Sequence, residues 1–588
     1  MNTNTSSRIS IVFSLLVLIM AIFVVRLFDL QIIGRKKYED EARGEQFEEL
    51  QIPAQRGIIY AQQGGSIVPI VLNQKLYTLF GDPAITNNPQ AVAAKVASVI
   101  GGSASNYQKQ LTSKTSQYVV LANQLTEAQS SKILGFNLVG IGTKGQDYRV
   151  YPDSDLAAQT LGFVNNTGQG EYGVEQSLNK ELSGTSGQLK AYTDVNGVPL
   201  AASKGNTETQ PVNGKNVALT LHTTMQYNLQ QILQQGLQKA HSNSGSAIIM
   251  NLTNGHVDAM ADYPTYNPTN YTQVSNPSEF INATVGTPLE VGSIMKTLTT
   301  SAALDTNSIS PNETFYDPAK WLIDGSWITD ISQDGGPQQR SITDILVDSL
   351  NTGATWMLMQ MGGGQINSKA RDTWNNYTVN HFHFGSATGI QQGYEASGYV
   401  PEPEHDGAGI DLTYANTAFG QATTETPLQM VAALSSVLNG GTYYDPSLVL
   451  GTVNSNGNLT PAKPTIWKKN VVKPTIAGEL EPMMEAVIND NYYFYQMQQT
   501  PKGYMIGGKT GTAQVAMPGG GYSATDFNGT FIGFVGGAKP KYAIMTEVND
   551  PNIPNDSLDT YAGAGAAAPI WGSVAKMLID TGHVAPAS

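Results

Sequence analysis

Ser293 and Lys296 stand three residues apart in the run EVGSIMKTLTT. If a helix begins at Ser293, hydroxyl and ammonium project on neighbouring faces, with Met295, Leu298 and Ala302 turned to the other side. A serine hydroxyl becomes a useful nucleophile only with a base within hydrogen-bond reach. A lysine serves as that base when burial or a second cation depresses its pKa. The helix N-terminus adds positive potential where negative charge would develop, and Gly292 lets the backbone turn sharply and approach a substrate. Taken alone, S-x-x-K is more often a solvated helix lysine than a site.

Two further runs change that balance. VDSLNTGATWM carries Ser349 and Asn351 as an S-x-N triplet ahead of a helix-like stretch; by itself it reads as a helix cap. YMIGGKTGTAQVA places Lys509, Thr510, Gly511 and Thr512 at the end of an apolar run, as on a strand whose inner face Gly507 and Gly508 clear of bulk. A peptide laid along such an edge can be held by its carboxylate through the ammonium and hydroxyls. Gly503 also meets the spacing of a phosphate-binding loop, but TGTAQVAMPGGG breaks the helix such a loop must open. S-x-x-K, S-x-N and K-T-G in this order form a specific signature. His381 and His383 form an H-x-H pair, expected in a surface loop because no further ligand accompanies it; no metal site is expected.

The elements that must position these groups follow from pattern. TTMQYNLQQILQQGLQKA reads as a helix, SGSAIIMNLTNGHVDAMADYP as a hairpin turning at Asn254-Gly255, and GTFIGFVGGAKPKYAIMTEV as another turning near Gly537 to Lys541. Pro569 opens a last helix. An antiparallel sheet built from both ends of this region, with a helical insert between, is an α+β arrangement. Ahead of it, residues 88–138 read as helical and polar, LGFVNNTGQGEYGVEQSLNKELSG as a glycine-rich turn leading into an amphipathic helix, and GQLKAYTDVNGVPL as a hairpin around Asn196-Gly197.

The chain has 588 residues, enough for two or three domains. With 40% hydrophobic and 14% charged residues it is too apolar for disorder, and a net charge of −14 argues against a nucleic-acid binder. The absence of cysteine removes disulfides, thiolate nucleophiles and cysteine-based zinc sites. Residues 9–25, ISIVFSLLVLIMAIFVV, extend about 26 Å as a helix, and no small-x-small cleavage site follows, so an uncleaved membrane anchor is expected. The expected domains are a cytoplasmic tail at 1–8, a transmembrane anchor at 9–28, an elongated sheet-containing pedestal at 42–210 and a catalytic domain at 211–588.

The three motifs resemble those of the penicillin-recognising serine acyltransferases, and the surroundings resemble class B penicillin-binding proteins, monofunctional peptidoglycan transpeptidases. RLFDLQII, RGIIY and LGFVN…GEYGVEQSLNKELSG look like that class's pedestal or dimerisation-like domain; NGHVDAMADYPTYNPTNY, TPLQMVAALSSVLNGG and FIGFVGGAKPKYAI look like its penicillin-binding domain. YTLFGDP, with the helical run after it, leans toward septal members over elongation-type ones. The resemblance implies an acyl-enzyme on Ser293, Lys296 as base, Ser349 and Lys509 relaying a proton to the departing D-alanine, and Asn351 holding the peptide amide. It also implies carboxylate binding by Thr510 and Thr512 beside Gly511, and an oxyanion hole from the N–H groups of Ser293 and Thr512.

No cofactor is implied. The implied partners are stem peptides, β-lactams, the cytoplasmic membrane, a membrane glycosyltransferase and other divisome or elongasome proteins. The catalytic part is expected outside the cytoplasm, although Arg26, Arg35, Lys36 and Lys37 after the anchor outnumber Arg8 before it, the reverse of the positive-inside pattern. Val291 stands where the family usually carries proline, which predicts a less rigid turn. A class A β-lactamase is disfavoured because SSVLN at 435–439 has serine where its glutamate belongs, and a glycosyltransferase domain because the first histidine is His222. A β-lactam-binding scaffold or sensor remains the alternative of a different class.

Overall fold

The computed structural model describes residues 4–37, 47–113, 116–192, 206–330, 336–404, 409–516, 521–552 and 562–587. The hairpin expected at Asn196-Gly197 lies outside these residues. The described chain forms two compact units, one of residues 1–56 with 183–214 and one of 57–182 with 215–588.

In the first unit, helix α1 (Asn4–Phe28) is followed by a turn of π-helix over Asp29–Ile33. Arg8–Ile33 is, among the described residues, the one helical stretch long and apolar enough to cross a membrane by length and composition. Its large side chains, Phe13, Leu16 and Val25 among them, are exposed, as expected of a helix that is apolar all round. A three-stranded antiparallel sheet completes the unit, with Phe47–Ile52 and Thr207–Thr209 flanking Gly187–Tyr192.

In the second unit, a seven-stranded sheet combines strands of the 57–182 stretch with Asn216–His222 and Val449–Val453. The 88–138 stretch is not helical throughout. Helices Pro89–Ile100, Ala104–Leu111 and Glu127–Leu134 are interrupted by a strand, Val119–Leu125, which pairs with Ser66–Gly81. Val119 and Val120 favour an extended chain, and Val92, Val96, Leu111, Leu121 and Ile133 close a small core of their own.

The main core lies around a five-stranded antiparallel sheet built from both ends of the 215–588 stretch. Helix α2 (Thr223–Lys239) leads into β1 (Ser244–Asn251) and β2 (Val257–Tyr263); β3 (Met505–Ala516), β4 (Tyr522–Gly536) and β5 (Pro540–Asn549) come from the far end. The order is β2-β1-β5-β4-β3, which leaves β3 at an edge. Between the two ends run helices α3 (Lys296–Asp305), α4 (Asn351–Met361), α5 (Pro427–Leu438) and α6 (Thr475–Asn491), and α7 (Ala568–Asp580) closes the chain.

Every residue of α5 is buried, and its start is set by a Thr426–Gln429 capping box with proline in the first turn. Helix α3 is buried from Lys296 to Leu304 despite four hydroxyl residues. Thr297, Thr300 and Ser301 donate to carbonyls three or four residues back, at 2.7–2.8 Å, and Thr299 donates to the Ala418 carbonyl at 2.7 Å. The helix can therefore sit in the core without orphaned hydroxyls. Gly507 and Gly508 do clear space, but for this core: a Cβ on either would meet the rings of Phe534 or Phe531 at 2.5 and 2.3 Å.

Asp262 and Glu547 flank Ser246 across β2, β1 and β5, and Ser246 donates to Glu547 at 2.7 Å. Burial pushes Asp262 up to about 8 and Glu547 to about 7; it also pushes Glu425 to about 8 and Asp258 to about 7. Each folded pKa exceeds its unfolded value, so the folded state gains protons as pH falls from 8.5 to 6.5 while the unfolded carboxylates stay ionised. Stability then rises on acidification by about 1.4 kcal/mol per pH unit for each proton held. Below pH 6.5 the trend flattens, because burial lowers the pKa of His222, His256 and His583 and the unfolded state then takes up protons that the fold does not. Thermal unfolding of the detergent-solubilised chain across this range checks the slope. Asp262→Asn is expected to make it shallower and to raise the midpoint most at the alkaline end.

Candidate active site

Three segments meet at one cavity. Gly292–Met295 forms a 3₁₀ turn that runs directly into α3 at Lys296. Gly292 has φ 65°, its N–H donates to the Gly420 carbonyl at 3.0 Å, and a Cβ there would lie 2.7 Å from the Thr512 carbonyl oxygen. Gly420, at φ 80°, would place a Cβ 2.1 Å from the Gly292 carbonyl oxygen. Backbones of the first motif, the K-T-G strand and the 420 turn thus touch where no side chain fits. Val291 takes φ −82°, near the roughly −65° a proline enforces, and its carbonyl accepts from the Thr530 hydroxyl at 2.8 Å. The turn is held to β4 through that carbonyl without proline.

Ser349 lies between a short helix, Ile342–Val347, and α4, with a left-handed φ of 58°. That conformation directs its carbonyl at Lys296, whose Nζ donates to Ser349 O at 2.5 Å, to Asn351 Oδ1 at 2.8 Å and to Ser349 Oγ at 3.4 Å. Lys296 is completely buried, and the Phe419 ring lies 6.0 Å from its ammonium. Asn351 in turn donates through Nδ2 to the Thr329 carbonyl at 3.1 Å.

On β3, Lys509, Thr510, Gly511 and Thr512 pair with Ile532, Phe531, Thr530 and Gly529 of β4. Lys509 is also completely buried; its Nζ donates to the Thr510 carbonyl at 3.1 Å and hydroxyl at 3.2 Å. The Thr512 hydroxyl accepts from the Gly563 N–H at 3.2 Å. By strand alternation Thr510, Thr512 and Gln514 share a face, and all three line a cavity of about 700 Å³ together with Ser293, Ser349 and Asn351. Ser293, Ser349, Asn351, Thr510 and Thr512 are therefore gathered from sequence separations of more than 200 residues, with the two lysines buried behind the wall.

Sequence reasoning missed several residues of this site. Asp330 lines the cavity, and its Oδ1 accepts from the Thr352 N–H at 3.0 Å. The Thr352 hydroxyl sits between Asp330 and Asp317, 2.7 Å from the latter. Arg340 reaches Asp348, another lining carboxylate, at 2.8 Å. Tyr495 lines the rim and neighbours the Thr510 hydroxyl. Asp348 and Thr352 flank the S-x-N triplet without a signature of their own, and only the fold brings Asp330, Arg340 and Tyr495 near it. His381 and His383 lie in a loop after the Ser368–Asn380 helix, only partly exposed. Both are half-buried, His381 bonded to the Val471 carbonyl at 2.5 Å and His383 stacked on Trp467 at 4.0 Å, because Phe382 and Phe384 anchor the run in the core. Among the described residues no group of three or more metal-ligating side chains occurs.

Residues 245–576 match the family described as penicillin binding protein transpeptidase domain, and 51–219 the penicillin-binding protein dimerisation domain. Stage V sporulation protein D of Bacillus subtilis is 27% identical over 98% of this chain and 86% of its own. Penicillin-binding protein PbpB of Mycobacterium tuberculosis is 29% identical over 79% of this chain and 67% of its own. Peptidoglycan D,D-transpeptidase FtsI of Escherichia coli is 24% identical over 99% and 93%. In fold, the chain resembles penicillin binding protein 3 of Mycobacterium tuberculosis, solved with aztreonam, at a TM-score of 0.67 and 24% identity over 92% of this chain and 98% of that one.

The contact between Gly420 and Gly292 can be isolated by a paired substitution. Gly457 has a similar φ of 81° but nothing within 4 Å of a Cβ. Both Gly420→Ala and Gly457→Ala incur left-handed strain, and only the first also clashes. Gly420→Ala is expected to cost at least about 2 kcal/mol more in denaturant unfolding than Gly457→Ala.

Proposed function

Since the chain belongs to the penicillin-binding protein transpeptidase family, we propose that it is a class B, division-type peptidoglycan D,D-transpeptidase acting through an acyl-enzyme on Ser293. The observation that carries this reading is the buried Lys296 ammonium, held by Ser349 and Asn351 on the wall of the cavity that Ser293 lines.

In this reading Lys296 first gives up a proton to become a neutral amine; Ser293 Oγ then attacks the carbonyl of the penultimate D-alanine of a stem peptide, and the Lys296 amine takes the hydroxyl proton. The new C–O bond forms as the oxyanion is stabilised by the N–H groups of Ser293 and Thr512, each such donor being worth on the order of 3 kcal/mol of barrier. Ser349 and Lys509 pass a proton to the departing D-alanine nitrogen as the C–N bond breaks. Thr510 and Thr512, with Gly511 between them, hold the terminal carboxylate of the peptide or of a β-lactam, while Asn351 holds the peptide amide. An amine of a second stem peptide then takes the acyl group and restores the serine. These roles are supported by the arrangement of hydroxyls and amide around one cavity; no step requires a cofactor.

The 211–588 part is the catalytic domain in this reading, and 42–210 the pedestal that carries it from the membrane. Residues 9–28 hold the protein in the cytoplasmic membrane after a cytoplasmic tail of 1–8, with the catalytic domain on the outer side. The apolar helix and the transpeptidase relatives support membrane anchoring. A membrane glycosyltransferase that makes the glycan strands is the fitting partner.

Ser293→Ala is expected to abolish covalent labelling by a fluorescent penicillin while leaving the thermal unfolding midpoint within a few degrees of the parent. Lys296→Ala is expected to slow labelling by about 10²–10⁴-fold. Labelling that survives in Ser293→Ala would assign the nucleophile elsewhere.

A further inference from the structure

The donor half of the reaction accounts for the three motifs, but not for the carboxylates on the cavity wall. Two carboxylates line it, Asp330 and Asp348. Asp348 is matched by Arg340, 2.8 Å away. Asp330 forms no ion pair among the described residues, and the Lys296 ammonium acts on it electrostatically. Its two oxygens meet one group each, the N–H and the hydroxyl of Thr352, whereas an ionised carboxylate offers about four acceptor positions. The residue before it is tied to the S-x-N motif, where Asn351 Nδ2 donates to the Thr329 carbonyl. Thr510 and Thr512, which the donor peptide's carboxylate occupies in the reading above, belong to β3, a different wall element.

We propose that Asp330 receives the acceptor: its carboxylate binds the primary ammonium group of the incoming stem peptide and takes the first proton from it. The inference rests on the transpeptidase reading and adds the residue that receives its acceptor amine. An ammonium has no lone pair and cannot attack an ester, so one proton must leave before aminolysis. Transfer from R–NH₃⁺ to Asp330 gives R–NH₂ and a neutral carboxyl. The amine nitrogen then forms a bond to the acyl carbon, the bond from that carbon to Ser293 Oγ breaks, and the second proton passes from nitrogen through Lys296 to Ser293 Oγ. Asp330 finally releases its proton to solvent, which leaves an amide, a free serine and one proton. Burial holds the Asp330 carboxyl above its usual range, which makes it a stronger base than a surface carboxylate.

The competing role is structural, since Asp330 also caps the N-terminus of α4 through Thr352. Asp330→Asn separates the two, keeping an acceptor oxygen for that N–H while removing the charge. The test follows the acyl-enzyme formed by the full-length chain in detergent from an acyl-D-alanyl thioester. The fraction captured is measured with Nα-acetyl-lysine, a primary ammonium at neutral pH, and with hydroxylamine, which is uncharged there.

The variant is expected to lower capture by Nα-acetyl-lysine, relative to acyl-enzyme formed, at least about tenfold, and to leave capture by hydroxylamine within about twofold. Equal losses with both amines would make Asp330 a structural cap and overturn the proposal; so would no loss with either, or failure of the variant to acylate at all. If the parent chain itself forms no acyl-enzyme on Ser293, the transpeptidase reading fails first, and penicillin labelling of Ser293 distinguishes that failure.

Discussion

The burial of the Lys296 ammonium is the constraint on which the rest of the site depends. A cation taken fully out of water is tolerated only when acceptors surround it. Here the acceptors are the Ser349 carbonyl and hydroxyl and the Asn351 amide oxygen, all from a segment more than 50 residues away. Supplying that carbonyl forces Ser349 into a left-handed conformation, a strain of about 1–3 kcal/mol that needs rigid flanks. The flanks are present. The preceding helix ends at Asp348, whose N–H donates to the Asp344 carbonyl at 2.9 Å, Leu350 N–H bonds to the Ile345 carbonyl at 3.0 Å, and α4 follows at once. The ammonium therefore organises the S-x-N turn as much as the turn tunes the ammonium.

From this pair the constraint spreads outward. Asn351 ties the turn to Thr329, Thr352 ties it to Asp317 and Asp330, and Trp321 Nε1 donates to the Thr352 carbonyl at 3.1 Å. A hairpin of Lys320–Ile323 and Ser326–Thr329 is thereby fastened to the cavity wall. On the other side the first motif is pressed between Gly420 and Thr512 by backbone contacts alone, and Thr530 holds its entry. Such contacts leave little freedom, and under the proposed function they would hold donors preorganised for a developing oxyanion. The same burial that shapes the site also places neutral carboxyls such as Asp262 and Glu425 in the core, where low charge is the condition for tolerating them.

The parts of this molecule legible from residues alone were those governed by local rules. The hairpin at Asn254-Gly255, the helix over Thr223–Lys239, the late proline-started helix and the pairing of both chain ends in one antiparallel sheet follow from periodicity and turn chemistry. The strand Val119–Leu125 was not legible, because two valines in a polar run carry too weak a local signal; pairing with Ser66–Gly81 decides it. The glycines before Lys509 read as room for a substrate, yet Phe531 and Phe534 of the neighbouring strand fill that room.

By itself, the order S-x-x-K, S-x-N, K-T-G singled out hydroxyls, an amide and ammonium groups that the fold gathers at one cavity, because residue type and spacing are properties of the chain. Only the tertiary structure decided which of those groups are buried, which face the cavity and which carboxylates share it. Burial and proximity between residues such as Asp330 and Thr352, or Gly292 and Gly420, are set by packing of segments far apart in sequence, and no local pattern encodes a contact made across the fold.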